Sequence, residues 1–183
     1  LLSLSGRGDL RMRVGNGRFL LFLLLLSSFW VAFNQIFLTL PEYIRDFSQT
    51  QGLLEAMAGA MSFLGFGPDA IASVKNIFGL PNGHVKPEHI INLNALSIIF
   101  FQILVSHFVA RFKALVTIML GIGITAASFT MLAFGVNPWI VVAAVVVFSF
   151  GEMMASPKAK EYTAHAVAPP DKMGLYMGYY MWC

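Results

Sequence analysis

Four stretches of this chain run for about 20 residues each with almost no charge, which is the length a helix needs to cross a hydrocarbon core. No other feature restricts the fold so strongly. Hydrophobic residues make up 57% of the 183 positions and charged residues 11%. A soluble domain carries roughly 25% charge. A soluble fold of this size could not hide that much apolar surface and still present a wettable exterior. Disorder is excluded by the same numbers, because disordered chains are polar and highly charged. The expected fold class is therefore an all-α membrane protein.

The first transmembrane helix is expected over 19–45, where an apolar run from Phe19 to Leu40 is interrupted only by Asn34 and Gln35. The run is too long for a signal-peptide core, and no small-residue cleavage site follows it. Further transmembrane helices are expected over 90–110, 114–134 and 138–167, the last with a more polar extension past Glu152. A fifth helix starts within 172–183 and is cut off at Cys183. The chain begins with Leu1 rather than Met and ends inside an apolar run, so it reads as a fragment. The connections fit these spans. Arg111-Phe112-Lys113 is a short basic hairpin, and Gly135-Val136-Asn137-Pro138 is a turn with Pro138 suited to the first turn of a helix. Pro169-Pro170-Asp171 ends one helix and caps the next.

Residues 46–89 differ in being punctuated by glycine and proline. Leu53 to Phe66 is apolar but too short to span, so it reads as an interfacial or re-entrant helix. Pro81-Asn82-Gly83 reads as a turn. Lysine and arginine positions then set an orientation. Arg7, Arg11, Arg13 and Arg18 in the basic segment 1–18, Arg111 and Lys113, and Lys158, Lys160 and Lys172 fall on alternate connections. These connections are expected in the cytoplasm, and the near-neutral 46–89 loop outside.

Charge inside a membrane is expensive, roughly 2.5–3.5 kcal/mol at a helix centre, and it marks pathways. Glu152 is the only carboxylate expected to be buried in a span, about 13 residues or roughly 20 Å from Trp139. Ser149, Glu152, Ser156 and Lys160 form one polar stripe on an otherwise apolar helix. Such a stripe suits a watery cavity. The alternative is a glutamate at the membrane surface, snorkelling or paired with Lys158 or Lys160. Asn34, Gln35, Asn94 and Gln102 are amides within spans, where helix–helix hydrogen bonding is their common use. Gly121-Ile122-Gly123 and Ala126-Ala127 read as small residues for close helix packing.

Other chemistries find little support. The net charge of +3 is spread in small clusters rather than gathered on one face, so nucleic acid is not an expected partner. The single cysteine allows no disulfide framework. Gly121-x-Gly123-x-x-Ala126 matches a dinucleotide fingerprint in letters but follows no strand. His84, Glu88 and His89 are interrupted by Pro87, which breaks the helix that a metal site of this spacing needs. Arg7-Gly8-Asp9 is a chance match on the cytoplasmic side. Neither a metal nor an enzymatic activity is expected.

Several segments resemble the proton-dependent oligopeptide transporters of the major facilitator superfamily. Phe29-Trp30-Val31-Ala32-Phe33-Asn34-Gln35 resembles that family's seventh helix, which typically reads Phe-Trp-Ala-Leu-Tyr-Glu-Gln. Lys86 to Ala95 resembles the start of its eighth helix, with Gln-Ser-Leu-Asn-Pro. Arg111-Phe112-Lys113 sits where the superfamily has a basic loop between helices eight and nine. Gly151-Glu152-Met153-Met154-Ala155-Ser156-Pro157 is close to the tenth-helix Gly-Glu-Leu-x-x-Ser-Pro, the most specific match. Ala168-Pro169-Pro170 and Gly174-Leu175-Tyr176-Met177-Gly178 resemble the start of helix eleven.

The resemblance implies the C-terminal helix bundle of a twelve-helix fold, from helix seven to early helix eleven. It implies a secondary transporter in the bacterial inner membrane, with the N-terminal end cytoplasmic. Uptake of small peptides or similar solutes would use alternating access and the proton gradient, with no cofactor. The partners implied are the lipid bilayer, the substrate and the N-terminal bundle of the same chain. Glu152 and Asn94 match positions that bind a peptide's amino terminus, and Glu152 is the implied proton-coupling group. Asn34, Gln35, Ser149, Ser156 and Tyr180 are further expected substrate contacts. Asn34 stands where the family has an acidic residue, and an amide can neither carry a proton nor form a salt bridge. Ala95 replaces the proline, Tyr180 stands where tryptophan is common, and the 46–89 loop is longer. These departures leave open another solute, such as a drug, sugar or organic anion, or a non-transporting membrane binding protein.

Overall fold

The computed structural model describes residues 17–134, 136–168 and 173–182. The basic residues Arg7, Arg11 and Arg13, Gly135, the 169–172 stretch and Cys183 lie outside the described residues. Among the described residues the fold is all-helical, with one isolated antiparallel bridge between Gly79 and Val85. In chain order the helices are α1 (Gly17–Leu38), α2 (Leu40–Phe47), α3 (Gln51–Phe63), α4 (Pro68–Phe78), α5 (Pro87–Ile91), α6 (Leu93–Val109), α7 (Ala114–Phe134), α8 (Pro138–Tyr162) and α9 (Met173–Trp182). A π-helical turn, Thr163–Val167, extends α8.

Among the described residues four segments are long and apolar enough to cross a membrane: Leu20–Phe47, Pro87–Val109, Ala114–Phe134 and Pro138–His165. The first and last have 28 residues each and reach about 42 Å, beyond a hydrocarbon core about 30 Å thick. The first is interrupted at Thr39 but not broken, because Thr39 N–H bonds to Gln35 at 2.8 Å and Tyr43 N–H to Thr39 at 3.0 Å. Pro41 causes the interruption: it has no N–H for the Phe37 carbonyl, and its ring crowds that group. Pro41 thereby falls in the first turn of α2, and other helices begin the same way. Pro68, Pro87 and Pro138 occupy first turns, where the missing N–H has no intrahelical partner to lose. Pro87 thereby starts the second span three residues before the expected position 90. Asn137 caps α8 by accepting the Trp139 N–H at 2.9 Å.

Helix α8 is the hub. Val141, Ala144, Val145, Phe148 and Ser149 are fully buried on it. Against α7 the approach is backbone to backbone. A Cβ on Gly121 would stand 2.8 Å from both the Gly151 carbonyl and the Ala155 nitrogen, and one on Gly151 would stand 2.8 Å from the Gly121 carbonyl. Small residues permit this closeness, as expected for Gly121. Gly123 faces open space, however, and Ala126 and Ala127 are exposed. The residue against Gly151 is Thr125. Phe148 fills the gap between three helices, with its ring 5.0 Å from Phe33 of α1 and 5.8 Å from Phe129 of α7. Tyr43 donates to the Leu132 carbonyl at 3.2 Å, tying α2 to the end of α7.

The segment between α2 and α5 forms helices α3 and α4, joined through Gly65, whose φ of +84° suits glycine. A turn at Pro81-Asn82-Gly83 follows, with Gly83 at φ +81°. Thr50 Oγ1 accepts the buried Val85 N–H at 2.9 Å and closes the segment on itself, and Leu53, Leu54 and Val85 dock it on the core built on Ile36, Ile44, Val141 and Phe148.

Candidate functional site

Three polar side chains meet where α6 crosses α8. Asn94 sits at the second position of α6, and Ser149 and Glu152, three residues apart, share one face of α8. The Asn94 Nδ2 group donates to Ser149 Oγ at 3.1 Å and to Glu152 Oε2 at 2.9 Å. Its two hydrogens allow both bonds at once. Ser149 Oγ donates in turn to the Val145 carbonyl of its own helix at 2.8 Å. Asn94 and Ser149 are buried and Glu152 is half-buried. The Ser149 hydroxyl is thus held in one rotamer, and Asn94 is anchored to α8 at two points.

The surroundings fix this meeting. Gly151, next to Glu152, lets α7 press on the opposite side of α8. Further along, Val105 and Val109 of α6 enclose Met153, and the Phe101 and Phe150 rings lie 5.4 Å apart. The polar cluster is therefore bounded by apolar packing on the side away from α5. Pro157, inside α8, offers no N–H to the Met153 carbonyl one turn beyond the cluster.

Among the described residues Glu152 forms no ion pair with a lysine. Lys158, buried along its stem, forms its ion pair with Glu161 at 2.8 Å, and Lys160 is exposed. A half-buried carboxylate held by an amide is a pure acceptor when ionised. It is suited to an ammonium group or another strong donor, and it is able to take up a proton.

The other expected site residues lie apart from this network. Asn34 and Gln35 are exposed on α1, where Asn34 Nδ2 donates to the Trp30 carbonyl at 2.8 Å and Gln35 Nε2 to Val31 at 3.4 Å. Ser156 is half-buried one turn past Glu152. Tyr180 is buried with Leu26, Ile118 and Ala159 in a separate cluster where α1, α7, α8 and α9 converge. Ser97, buried three residues after Asn94 on the same face, extends the polar lining. The i, i+3 spacing from Asn94 was the signal for it. Buried Thr125 and Ser128 bond to carbonyls of their own helix, and Thr117 to the Lys113 carbonyl just before it. His84 and His89 turn to different partners, the first toward Thr50 and the second stacked at 4.4 Å on Phe78.

Comparison with known protein families, with curated proteins and with solved structures yields no match for this chain.

Proposed function

We propose that this chain is the C-terminal helix bundle of a major-facilitator-type secondary transporter that carries small peptides or similar solutes with protons. One observation carries the reading: a half-buried glutamate within an apolar span, hydrogen-bonded to an asparagine of a neighbouring span. Intramembrane carboxylates of this kind characteristically mark substrate or proton paths. In this reading Glu152 receives the ammonium end of the solute and the coupled proton. Asn94 and Ser149 orient its carboxylate. Asn34 and Gln35, exposed on α1, face the gap toward a second bundle, and the two bundles rock about the site. Arg111 and Lys113, between the second and third spans, lie on the cytoplasmic side.

The test is Glu152→Gln in the full-length protein, reconstituted in vesicles with an imposed pH gradient. Proton-driven accumulation of a labelled dipeptide is expected to be lost while the protein still folds. Unchanged uptake with unchanged pH dependence would end the assignment. Uptake that dipeptides do not compete with would transfer the site to another solute class. Binding without accumulation would make the protein a membrane binding protein.

A further inference from the structure

Two histidines lie between α4 and the second span, and their ring nitrogens have opposite duties. His89 Nε2 stands 3.1 Å from the Ile77 carbonyl, and a carbonyl only accepts, so that nitrogen carries a hydrogen. A proton added to His89 leaves this bond in place. His84 is the reverse. The Thr50 backbone N–H donates to His84 Nδ1 at 3.3 Å, so Nδ1 is bare and the ring hydrogen sits on Nε2. Thr50 Oγ1 lies 3.3 Å from the same nitrogen while it accepts the Val85 N–H at 2.9 Å. The His84 backbone N–H donates to Asn82 Oδ1 at 3.2 Å, and Gln51 Nε2 donates to the Asn82 carbonyl at 3.2 Å. Together these bonds clasp the start of α3 to the turn before α5.

We propose that His84 makes this clasp acid-sensitive: a neutral ring holds the 50–85 segment closed, and a protonated ring releases it. Histidine is the side chain that gains charge in mildly acidic water. A proton can enter this ring only at Nδ1, where it meets the Thr50 N–H, donor against donor. The Thr50 hydroxyl can rotate and accept from the new N–H, but the backbone N–H cannot. Thr50 is fully buried, so its N–H loses a partner and gains no water in exchange. The added charge also falls at the N-terminus of α3, the end of a helix that disfavours a cation.

The charged groups around the ring do not reverse this. Among the described residues, Arg45 of α2 is the one charged residue that lines the small cavity beside His84, and Glu42 and Asp46 engage its guanidinium. Glu55 of α3, Asp69 and Lys75 of α4 and Glu88 of α5 are exposed, and Lys86 Nζ is turned to the Ile77 carbonyl at 2.7 Å. The lost hydrogen bond therefore decides the outcome. Release reaches the core, because the closed segment presents Leu53, Leu54 and Val85 to it. The clasp lies at the opposite end of the second span from Arg111 and Lys113. In the orientation proposed above that is the outer side, where the surroundings set the acidity. The inference rests on the fold and not on the transport reading.

The experiment is amide hydrogen exchange on the full-length protein in lipid nanodiscs at about pH 7.5 and about pH 5, corrected for the intrinsic pH dependence of exchange. Protection at Thr50 and Val85 is expected to fall about tenfold at the lower pH, the equilibrium change that accompanies loss of one buried hydrogen bond, while α6 is unchanged. His84→Asn places an amide oxygen where Nδ1 stands and does not titrate, so it is expected to keep protection at both pH values. His89→Asn is expected to retain the parent's fall. Equal protection of the parent at both pH values overturns the proposal. So does a fall that persists in His84→Asn or disappears in His89→Asn. If His84→Asn loses protection at both pH values, the ¹⁵N shifts of His84 in the parent at about pH 7.5 decide: a bare Nδ1 upholds the clasp, and a hydrogen on Nδ1 overturns it.

Discussion

Gly121 and Gly123 lie two residues apart in α7, and alanine should have opposite consequences at the two positions. At Gly121 a Cβ would stand 2.8 Å from the Gly151 carbonyl oxygen and the Ala155 nitrogen, both backbone atoms of α8. Ordinary contact begins near 3.4 Å, so the two helices must part by at least about 0.6 Å. A gap of 0.5–1 Å forfeits roughly a quarter to a half of the dispersion energy of the atoms it separates. Here it opens along the most extensive helix pair among the described residues. Overpacking of this kind costs about 1–3 kcal/mol, and because the obstruction is backbone on both sides the upper part of that range applies. Gly123 meets nothing within 4 Å, so Gly123→Ala should be neutral within about 0.5 kcal/mol or stabilising. The assay is reversible unfolding in mixed detergent micelles, with both variants compared against the parent. Equal effects of the two substitutions, or a neutral Gly121→Ala, would refute the close α7–α8 approach.

Three further outcomes follow from the packing. Asn94→Ala should destabilise by about 1–3 kcal/mol because it leaves Ser149 and Glu152 without their shared donor. In a double-mutant cycle with Glu152→Ala, which removes the acceptor, the coupling energy should be about 0.6–1.7 kcal/mol, and zero coupling would mean that the two side chains do not interact. Thr50→Val keeps the shape but removes the acceptor of the buried Val85 N–H; a loss of about 1–3 kcal/mol is expected, with faster hydrogen exchange at Val85 as the direct readout. Phe148→Ala should cost about 3–5 kcal/mol by denaturant titration, since the ring fills the space between α1 and α7.

The long helices were legible because a run of some 20 uncharged apolar residues leaves the backbone few other ways to satisfy its hydrogen bonds in lipid. Proline was harder to interpret. Pro41, Pro87 and Pro138 all fall in first turns, but only Pro41 does so inside a longer span, just past the apolar run that ends at Leu40. Between Leu53 and Phe66 one helix was expected, but α3 begins at Gln51 and ends at Phe63. Closure of that segment on itself could not be read, because it depends on Thr50 finding Val85 across 35 positions. Intramembrane polarity singled out Asn94 and Glu152 separately. No periodicity links residues 58 apart, so their meeting needed the fold. Gly121 was legible as a packing residue, but its partner Gly151 was not, having been noticed only as part of a longer motif.

The separation of Asn94 from its partners has a consequence for how the chain is made. At 5–20 residues per second, a ribosome needs about 3–11 s to synthesise the 55 positions between Asn94 and Ser149. Throughout that interval the second span carries an amide whose partners have not yet emerged. Phe33 of the first span waits longer still for Phe148. The fourth span therefore joins the first three on arrival, and a nascent chain arrested before it holds three spans without their common partner.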